Sequence, residues 1–198
     1  MEGLELNRLD LRRCPYCSVA KPFLARKWHE EKIDKTYPEF WAIFQCSKCQ
    51  NYVLALSWDI PGANLRVWPQ LETVDAAVPS PARDYLEQAI ESLHAPAGAV
   101  MLTASAIDAM LKEKGYQEGS LNSRIEKAEE KHLITKEMAA WAHEIRLDAN
   151  DQRHADENAT LPTESDAKKA VDFAQALAQF LFVLPARVER GRSTSENT

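Results

Sequence analysis

Two hydrophobic patterns divide this chain at about residue 70. Before that point, apolar residues form short β-branched and aromatic runs at residues 40–44, 52–58 and 65–68. Such runs are typical of β-strands, because these side chains pack well on a pleated surface. The first two runs enter and leave the same pair of cysteines. The pattern therefore predicts a β-hairpin with a third strand beside it.

Four tryptophans crowd the same region: Trp28, Trp41, Trp58 and Trp68. A small domain has little apolar material from which to build a core. We therefore expect most of these indoles to be buried in that core. The alternative use for an exposed indole is to stack on a nucleic-acid base.

From residue 80 onward, apolar residues recur with helical spacing. A hydroxyl side chain or a proline marks each helix start, because Ser and Thr cap free N–H groups and proline fits the first helical position. The predicted helices begin at Ser80, Ala95, Ser120, Thr135 and Thr163. Gly115 ends the second helix, and Asp166 forms a capping box with Thr163. Long helices with short links indicate an antiparallel bundle.

All four cysteines lie in two turns of the same spacing, Cys14-x-x-Cys17 and Cys46-x-x-Cys49. Each turn presents two thiolates from one bend, and Zn²⁺ binds four thiolates tetrahedrally. The pattern predicts one structural Zn²⁺ per chain, with no open position for zinc catalysis. The long spacer, residues 18–45, must hold structure of its own. Two disulfides are the alternative and are more typical of a secreted protein.

The sequence therefore predicts an α+β protein. We expect a small four-cysteine zinc ribbon at residues 1–70, followed by a linker at 71–79 that prolines bracket. An all-α bundle of about five helices follows at residues 80–188. The polar composition of residues 189–198 predicts a disordered tail.

The charge is unevenly distributed. The net charge is −6; residues 1–70 carry ten Lys/Arg and eight Asp/Glu, and the remainder carries fourteen and twenty-two. An acidic bulk disfavours sequence-blind binding to nucleic acid. If the protein does bind nucleic acid, the basic stretch of residues 8–35 is the expected first contact; the alternative is that its lysines only keep a small β-domain in solution. No signal-peptide pattern begins the chain, and the most apolar stretch, residues 177–185, is too short to span a bilayer. We expect a cytoplasmic protein.

The fourth predicted helix carries a polar stripe. Spacings of three, four and four place His143, Arg146, Asn150 and His154 on one side of a continuous helix. A guanidinium can hold a phosphate and an imidazole can transfer protons near neutral pH, which are the parts needed to cleave RNA without a metal. The alternative is structural: Arg146 and Asn150 would join helices, with a carboxylate such as Asp108 as partner.

Several motifs between residues 79 and 186 carry a family resemblance. These motifs are Pro81-Ala82-Arg83-Asp84-Tyr85, Leu121-Asn122-Ser123-Arg124-Ile125, Leu133-Ile134-Thr135, Trp141-Ala142-His143-Glu144-Ile145-Arg146 and Phe182-Val183-Leu184-Pro185-Ala186. Together they resemble the bacterial family called domain of unknown function 4145, whose members often carry an N-terminal zinc ribbon. That family has been grouped with the HEPN superfamily of helical bundles.

The resemblance implies a function as well as a fold. Many HEPN proteins are dimeric, metal-independent endoribonucleases of defence, toxin or RNA-processing systems. The resemblance places Arg146 and His154 at the superfamily's Arg and His positions, with Asn150 between them. Asp108 stands where the family has a Glu, from which it could orient Arg146 by a bidentate pair. His143 would support the site.

Two functions follow from these features. The first is an RNA-binding or RNA-cleaving homodimer in a bacterial defence or RNA-processing context. The second is a non-enzymatic interaction or scaffold module, in which the zinc ribbon and the acidic bundle dock protein partners of a defence or restriction system. The polar stripe of His143, Arg146, Asn150 and His154 would then be structural.

Overall fold

The computed structural model describes residues 3–5, 8–32, 39–58, 65–70, 73–154 and 160–195. The chain divides into two compact units, Met1–Glu72 and Thr73–Thr198. The first unit contains antiparallel strands, and the second contains helices. The predicted α+β class is confirmed.

Within the described part of the first unit, six strands form one antiparallel sheet in which each strand pairs with the next along the chain. The strands are β1 (Gly3–Glu5), β2 (Arg8–Asp10), β3 (Leu24–Lys32), β4 (Glu39–Cys46), β5 (Tyr52–Ser57) and β6 (Leu65–Trp68). The predicted hairpin is β4 with β5, and β6 is the predicted third strand. β3 lies within the spacer between the two cysteine pairs, which was predicted to hold structure of its own.

One face of this sheet packs on the cysteine turns and forms the core of the unit. The buried core residues are Leu9, Leu11, Cys14, Leu24, Ala42, Phe44, Cys46, Val53 and Ala55. The prediction that most tryptophans build this core is wrong, because none of the four belongs to it. On β4, Trp41 alternates with the core residues Ala42 and Phe44, so the strand's period of two directs the indole to the opposite face.

The second unit is a bundle of long helices. They are α1 (Ala82–Glu91), α2 (Pro96–Glu113), α3 (Leu121–Glu130), α4 (Lys136–His154), α5 (Glu164–Ala178) and α6 (Leu184–Ser195). Several predicted boundaries are confirmed: Ser120 caps α3, Thr163 and Asp166 form the capping box of α5, and Gly115 follows α2 with a φ of 98°. Between these ends, each helix turns an apolar side toward the others, and these sides pack into the core of the bundle.

The predictions of a linker at residues 71–79 and of an N-cap at Ser80 differ from the structure. Val78 is buried in the bundle core, with Val74 and Ala77 packed against it, so residues 73–79 belong to this unit. These apolar side chains are the reason, since a solvated linker would not bury them. The Ser80 hydroxyl does not cap α1 but donates to the Asp84 carboxylate, and Pro81 is the residue that precedes the helix.

The C-terminal segment corrects the predicted disordered tail. A π turn at Gln179–Val183 joins α5 to α6, and the chain stays helical to Ser195. Residues 196–198 of the predicted tail lie outside the described residues. In an α-helix, Pro185 would lack one hydrogen bond and its ring would press on the carbonyl group of Leu181. The wider π turn, in which the Leu184 N–H donates to the Gln179 carbonyl, precedes Pro185 and lets the helix continue.

Because α5, the π turn and α6 form one continuous helix, the longest apolar segment is longer than the sequence pattern indicated. Within the described residues, the stretch Glu164–Ser193 is long and apolar enough, by length and composition, to span a membrane. The sequence had indicated only the short run of residues 177–185. Val171, Phe173 and Leu177 of this stretch lie in the bundle core, so much of its apolar character serves helix packing.

Candidate metal centre and binding surfaces

The two cysteine turns have the same backbone structure. In the first, the Ser18 N–H donates to the Cys14 carbonyl (3.0 Å); in the second, the Gln50 N–H donates to the Cys46 carbonyl (2.9 Å). Ser18 and Gln50, each four residues after the first cysteine, have left-handed φ values of 52° and 60°. This conformation bends the chain so that both cysteines of each pair lie on the inner side of the turn.

The four sulfur atoms form one cluster. All of them lie within 4.8 Å of one another, and the Cys14 and Cys49 Sγ atoms are 3.8 Å apart. Four sulfurs about 2.3 Å from a tetrahedral Zn²⁺ would be separated by about 3.8 Å. All four cysteines are free thiols, with Cys14 and Cys46 buried and Cys17 and Cys49 half-buried. The donor set and spacing fit a structural zinc site and do not form the alternative disulfides.

The environment of these thiols affects their ionisation. Burial raises the pKa of Cys14 to about 12 and also raises the pKa of Cys17. Burial acts in the same direction at Cys49, but the backbone hydrogen bond from Asn51 and contacts with the other sulfurs lower the pKa of this thiol overall. A bound cation needs thiolates, so metal binding must release protons here.

The polar stripe of α4 lies on one continuous helix, as the proposed site requires. Lys136–His154 is unbroken, so the backbones of His143, Arg146, Asn150 and His154 share one side. His143 and Arg146 are half-buried and Asn150 is exposed; the side chain of His154 lies outside the described residues. The Arg146 Nε is buried and has no hydrogen-bond partner in the described part of the chain.

Asp108 does not serve as the partner of Arg146 that the sequence predicted. Its Oδ1 accepts from the Arg124 Nη1 (2.7 Å), and its Oδ2 pairs with the Lys112 Nζ (2.6 Å). Lys112 lies one turn along α2 and Arg124 reaches across from α3. Because both oxygens of Asp108 are engaged by these cations, the predicted bidentate pair with Arg146 is replaced.

Arg124 is a buried charged residue whose structural role was not predicted from the sequence. The residue is only 7% exposed, and its side chain also donates to the carbonyl groups of Tyr116 (Nε, 2.8 Å) and Gln117 (Nη2, 3.0 Å). It therefore ties the α2–α3 loop to both helices. The sequence does carry a signal of its burial, because Arg124 lies on the same side of α3 as the apolar residues Ile125 and Ala128.

The Asp108 ion cluster lies in the wall of a cleft of about 590 Å³ in the bundle. Tyr85, Ser105 and Arg153 also line this cleft. Arg153 precedes His154 by one residue, so the C-terminal end of α4 reaches the cleft. Its lining includes both positive and negative side chains, among them Lys112, Arg153 and Glu113.

Acidic side chains surround the exposed side of α4. Desolvation, together with repulsion from Asp151, Asp166 and Glu144, raises the pKa of Asp148. Desolvation raises the pKa of Asp148 most, and the three neighbouring carboxylates add a locally negative potential. That potential opposes the approach of a phosphate to this side of the helix.

The sheet face opposite the core is aromatic. Cross-strand pairs place Trp28 of β3 beside Ile43, Ile43 beside Leu54, and Leu54 beside Trp68 of β6, so all four lie on one face. Trp41 lies on the same face, and its ring stacks on that of Trp68 (6.0 Å between centroids, 17° between planes). We call Trp28, Trp41, Tyr52 and Trp68, with Ile43 and Leu54, the aromatic face.

Much of the aromatic face is in contact with solvent. Trp28 is 44% exposed, Tyr52 54% and Trp68 36%. Among the described side chains that the strand register places on this side, Asp10, Glu30 and Glu39 are acidic and Arg66 is basic, so these side chains carry no excess of positive charge. The Trp41 Nε1 donates to Glu39 (2.9 Å) and the Arg66 guanidinium stacks on the Trp58 ring (5.0 Å).

Comparison with known proteins gives one match. The family model described as "Domain of unknown function (DUF4145)" matches residues 87–194, which is more than half of the chain. No curated protein and no solved structure matches. The match covers α2 to α5 completely, and it overlaps most of the region that carried the resemblance in the sequence. The chain therefore belongs to the DUF4145 family.

Proposed function

We propose that this protein is a zinc-stabilised interaction module. In this proposal, Cys14, Cys17, Cys46 and Cys49 hold one structural Zn²⁺ that fixes the sheet, and the sheet docks a segment of a partner protein. The bundle is a stable DUF4145 domain whose fold is HEPN-like. The observation that carries the proposal is the solvent-exposed aromatic face on a sheet whose opposite face already forms the core.

The composition of this face favours a protein partner. Trp, Tyr and Arg are the residues most enriched among those that dominate binding energy at protein interfaces. Contiguous exposed apolar patches are uncommon on proteins that act alone. Here Trp28, Tyr52 and Trp68 lie around the central side chains Ile43 and Leu54, which gives an apolar centre with a more polar rim.

The charge on the face defines the chemistry of the partner. Glu30 and Glu39 lie on the same side of the sheet as the indoles, opposed by Arg66. Phosphate groups would gain little from this arrangement, because nucleic-acid affinity depends on an excess of cations. An extended peptide segment with apolar and basic side chains would meet both the rings and the carboxylates.

A selection from a random peptide library displayed on phage tests this proposal without knowledge of the natural partner. Zinc-loaded wild-type protein is expected to enrich apolar, basic peptides, and Trp68→Ala to weaken their binding by about tenfold or more. Tyr16→Ala is the matched control, because Tyr16 is an aromatic residue at least as exposed as Trp68 (48% against 36%) but lies in the first cysteine turn. Peptides that bind wild type, Trp68→Ala and Tyr16→Ala alike would refute the proposal, as would a selection that enriches none.

RNA binding or cleavage by a homodimer is the second candidate. Arg146 supports it, because its buried Nε has no hydrogen-bond partner among described residues and lies on one helix with Asn150 and His154. In this candidate Arg146 holds a phosphate while His154 transfers a proton, with His143 nearby. The engagement of Asp108 by Arg124 and the acidic side chains along α4 weigh against it.

Purified protein and total RNA in EDTA distinguish the candidates. The interaction proposal expects no cleavage, and fluorescence titration with single-stranded RNA should show weak binding that Arg146→Ala does not change. Cleavage that both Arg146→Ala and His154→Ala abolish would establish the second candidate. Cleavage that survives both substitutions would come from a contaminant or another site.

A further inference from the structure

The π turn and α6 present an apolar stripe to solvent. Phe180, Leu184 and Val188 follow one another at intervals of four residues, which places them on one side of the helix. Phe180 and Leu184 are each 45% exposed and Val188 is 60% exposed. Their own bundle leaves this stripe largely uncovered.

Basic side chains accompany this stripe. Arg187, Arg190 and Arg192 belong to α6, which contains one acidic residue, Glu189. The rest of the chain after residue 70 is strongly acidic, with twenty-two Asp/Glu and fourteen Lys/Arg in all. The C-terminal helix is therefore a basic, apolar element of an acidic unit, and its surface fits an acidic partner with exposed apolar groups.

The outer side of α4 has the complementary chemistry. Trp141 and Leu147 are exposed there, and Glu144, Asp148 and Asp151 lie around them. Desolvation raises the pKa of Asp148 most, and repulsion from the neighbouring carboxylates raises it further. Approaching cations would relieve that repulsion, while apolar side chains could cover the exposed indole and Leu147.

We infer that α6 of one copy docks on the outer side of α4 of a second copy, and that the reciprocal contact forms at the same time. Each chain carries both halves, so a two-fold axis would repeat the contact and double the buried area. Phe180, Leu184 and Val188 would cover Trp141 and Leu147. The arginines of α6 would lie among the carboxylates of α4.

Charge reversal of one half at a time gives the decisive experiment. Sedimentation velocity of the zinc-loaded wild-type chain is expected to show a dimer. The variants Arg187→Glu/Arg192→Glu and Glu144→Lys/Asp148→Lys should each weaken dimerisation by about tenfold or more, because each places like charges across both contacts. An equal mixture of the two variants restores opposite charges in both contacts. We expect it to form a heterodimer with nearly wild-type affinity.

This mixture separates docking from folding, because two misfolded variants would not rescue each other. Val188→Asp should also give monomers, whereas Phe23→Asp, the matched control at a similarly exposed apolar position outside α4 and α6, should not. A wild-type monomer, or variants whose mixture stays monomeric, would overturn the inference. A monomer that sediments with phosphatidylserine vesicles through Val188 would assign α6 to a membrane surface instead, and an open polymer would exclude the reciprocal contact.

Discussion

The two units of this protein use their large side chains in opposite ways. In the bundle, Phe173 and Leu177 are buried, and the helices hold together by apolar packing. In the sheet unit, the tryptophans lie outside the core, which Leu, Val and Phe side chains share with cysteines. A small unit that leaves its largest apolar residues in solvent must obtain stability from another source. In our proposal, a metal ion held by the four-thiol cluster is that source, and the aromatic face stays free for a partner.

Loss of the metal should produce the largest difference in stability between the two units. We expect Cys46→Ser, or removal of zinc by a chelator, to unfold the sheet, since structural zinc contributes about 10 kcal/mol or more to such folds. Hydrogen exchange should show lost protection in β4 and β5 and unchanged protection in α2. Ser47→Ala, in the same turn but without a thiol, is the control. Full protection of β4 after chelation would contradict the role given to the cluster.

Truncation of one aromatic residue in each unit tests the contrast directly. Phe173→Ala removes a buried ring and should cost about 3–5 kcal/mol of bundle stability. Trp28→Ala, although it removes a larger side chain, should cost less, about 2 kcal/mol of sheet stability, since 44% of the residue is already exposed to water. Urea unfolding followed by hydrogen exchange in each unit measures both. Equal costs would show that the aromatic face is part of the folding core.

Arg124 should be the most sensitive polar position of the bundle. Arg124→Ala leaves the Asp108 carboxylate and two loop carbonyl groups without their main partner, so we expect a loss of about 3–5 kcal/mol. Lys112→Ala removes the more exposed partner of Asp108 and should cost about 1 kcal/mol or less. Thermal unfolding of the two variants provides the comparison. Similar losses for both would mean that Arg124 is not the residue that ties the loop.

The cap of α5 should have a moderate effect confined to the bundle. Thr163→Ala removes the oxygen that accepts from the Asp166 N–H, and we expect a loss of about 1 kcal/mol. Ser193→Ala, at the exposed end of α6, is the control and should leave stability unchanged. Chemical unfolding measures both. A loss of protection in the sheet would show that the two units unfold together.

Asp148 should have the smallest effect, and one that depends on pH. Its pKa is raised in the folded protein, so the folded state binds a proton more tightly than the unfolded state. Stability from this group is therefore present at acid pH and is lost as pH rises through the folded pKa. Asp148→Asn should be more stable than wild type near neutral pH, with no difference below about pH 4. Urea unfolding across this pH range tests the sign, and an Asn variant less stable at neutral pH would contradict it.

Local sequence signals predicted much of the fold. The capping box of Thr163 with Asp166 and the glycine at position 115 act through neighbouring residues, so their positions could be read directly. The cysteine turns are equally local, and their four thiols do cluster. The burial of the tryptophans was misjudged because hydrophobicity alone does not tell which face of a strand meets the core.

Contacts between distant residues were harder to foresee. The sequence offered Asp108 as a partner for Arg146, but the carboxylate pairs with Arg124, sixteen residues away and on another helix. Helical spacing describes neighbours on one helix and does not determine which residues face each other across a bundle. The polar stripe of α4 was placed correctly on one helix, while its role depends on groups that lie outside that helix.

The π turn before Pro185 has a consequence for the direction in which α6 faces. Each residue of an α-helix advances about 100° around the axis, so one extra residue within a turn rotates all later side chains by about 100° relative to the preceding helix. The spacing of Phe180, Leu184 and Val188 places them on one side, and the wider turn sets the direction in which that side faces relative to α5. Deletion of Gln179 would return the segment to α-helical phase and rotate Leu184 and Val188 away from their present side, leaving the sequence of α6 unchanged.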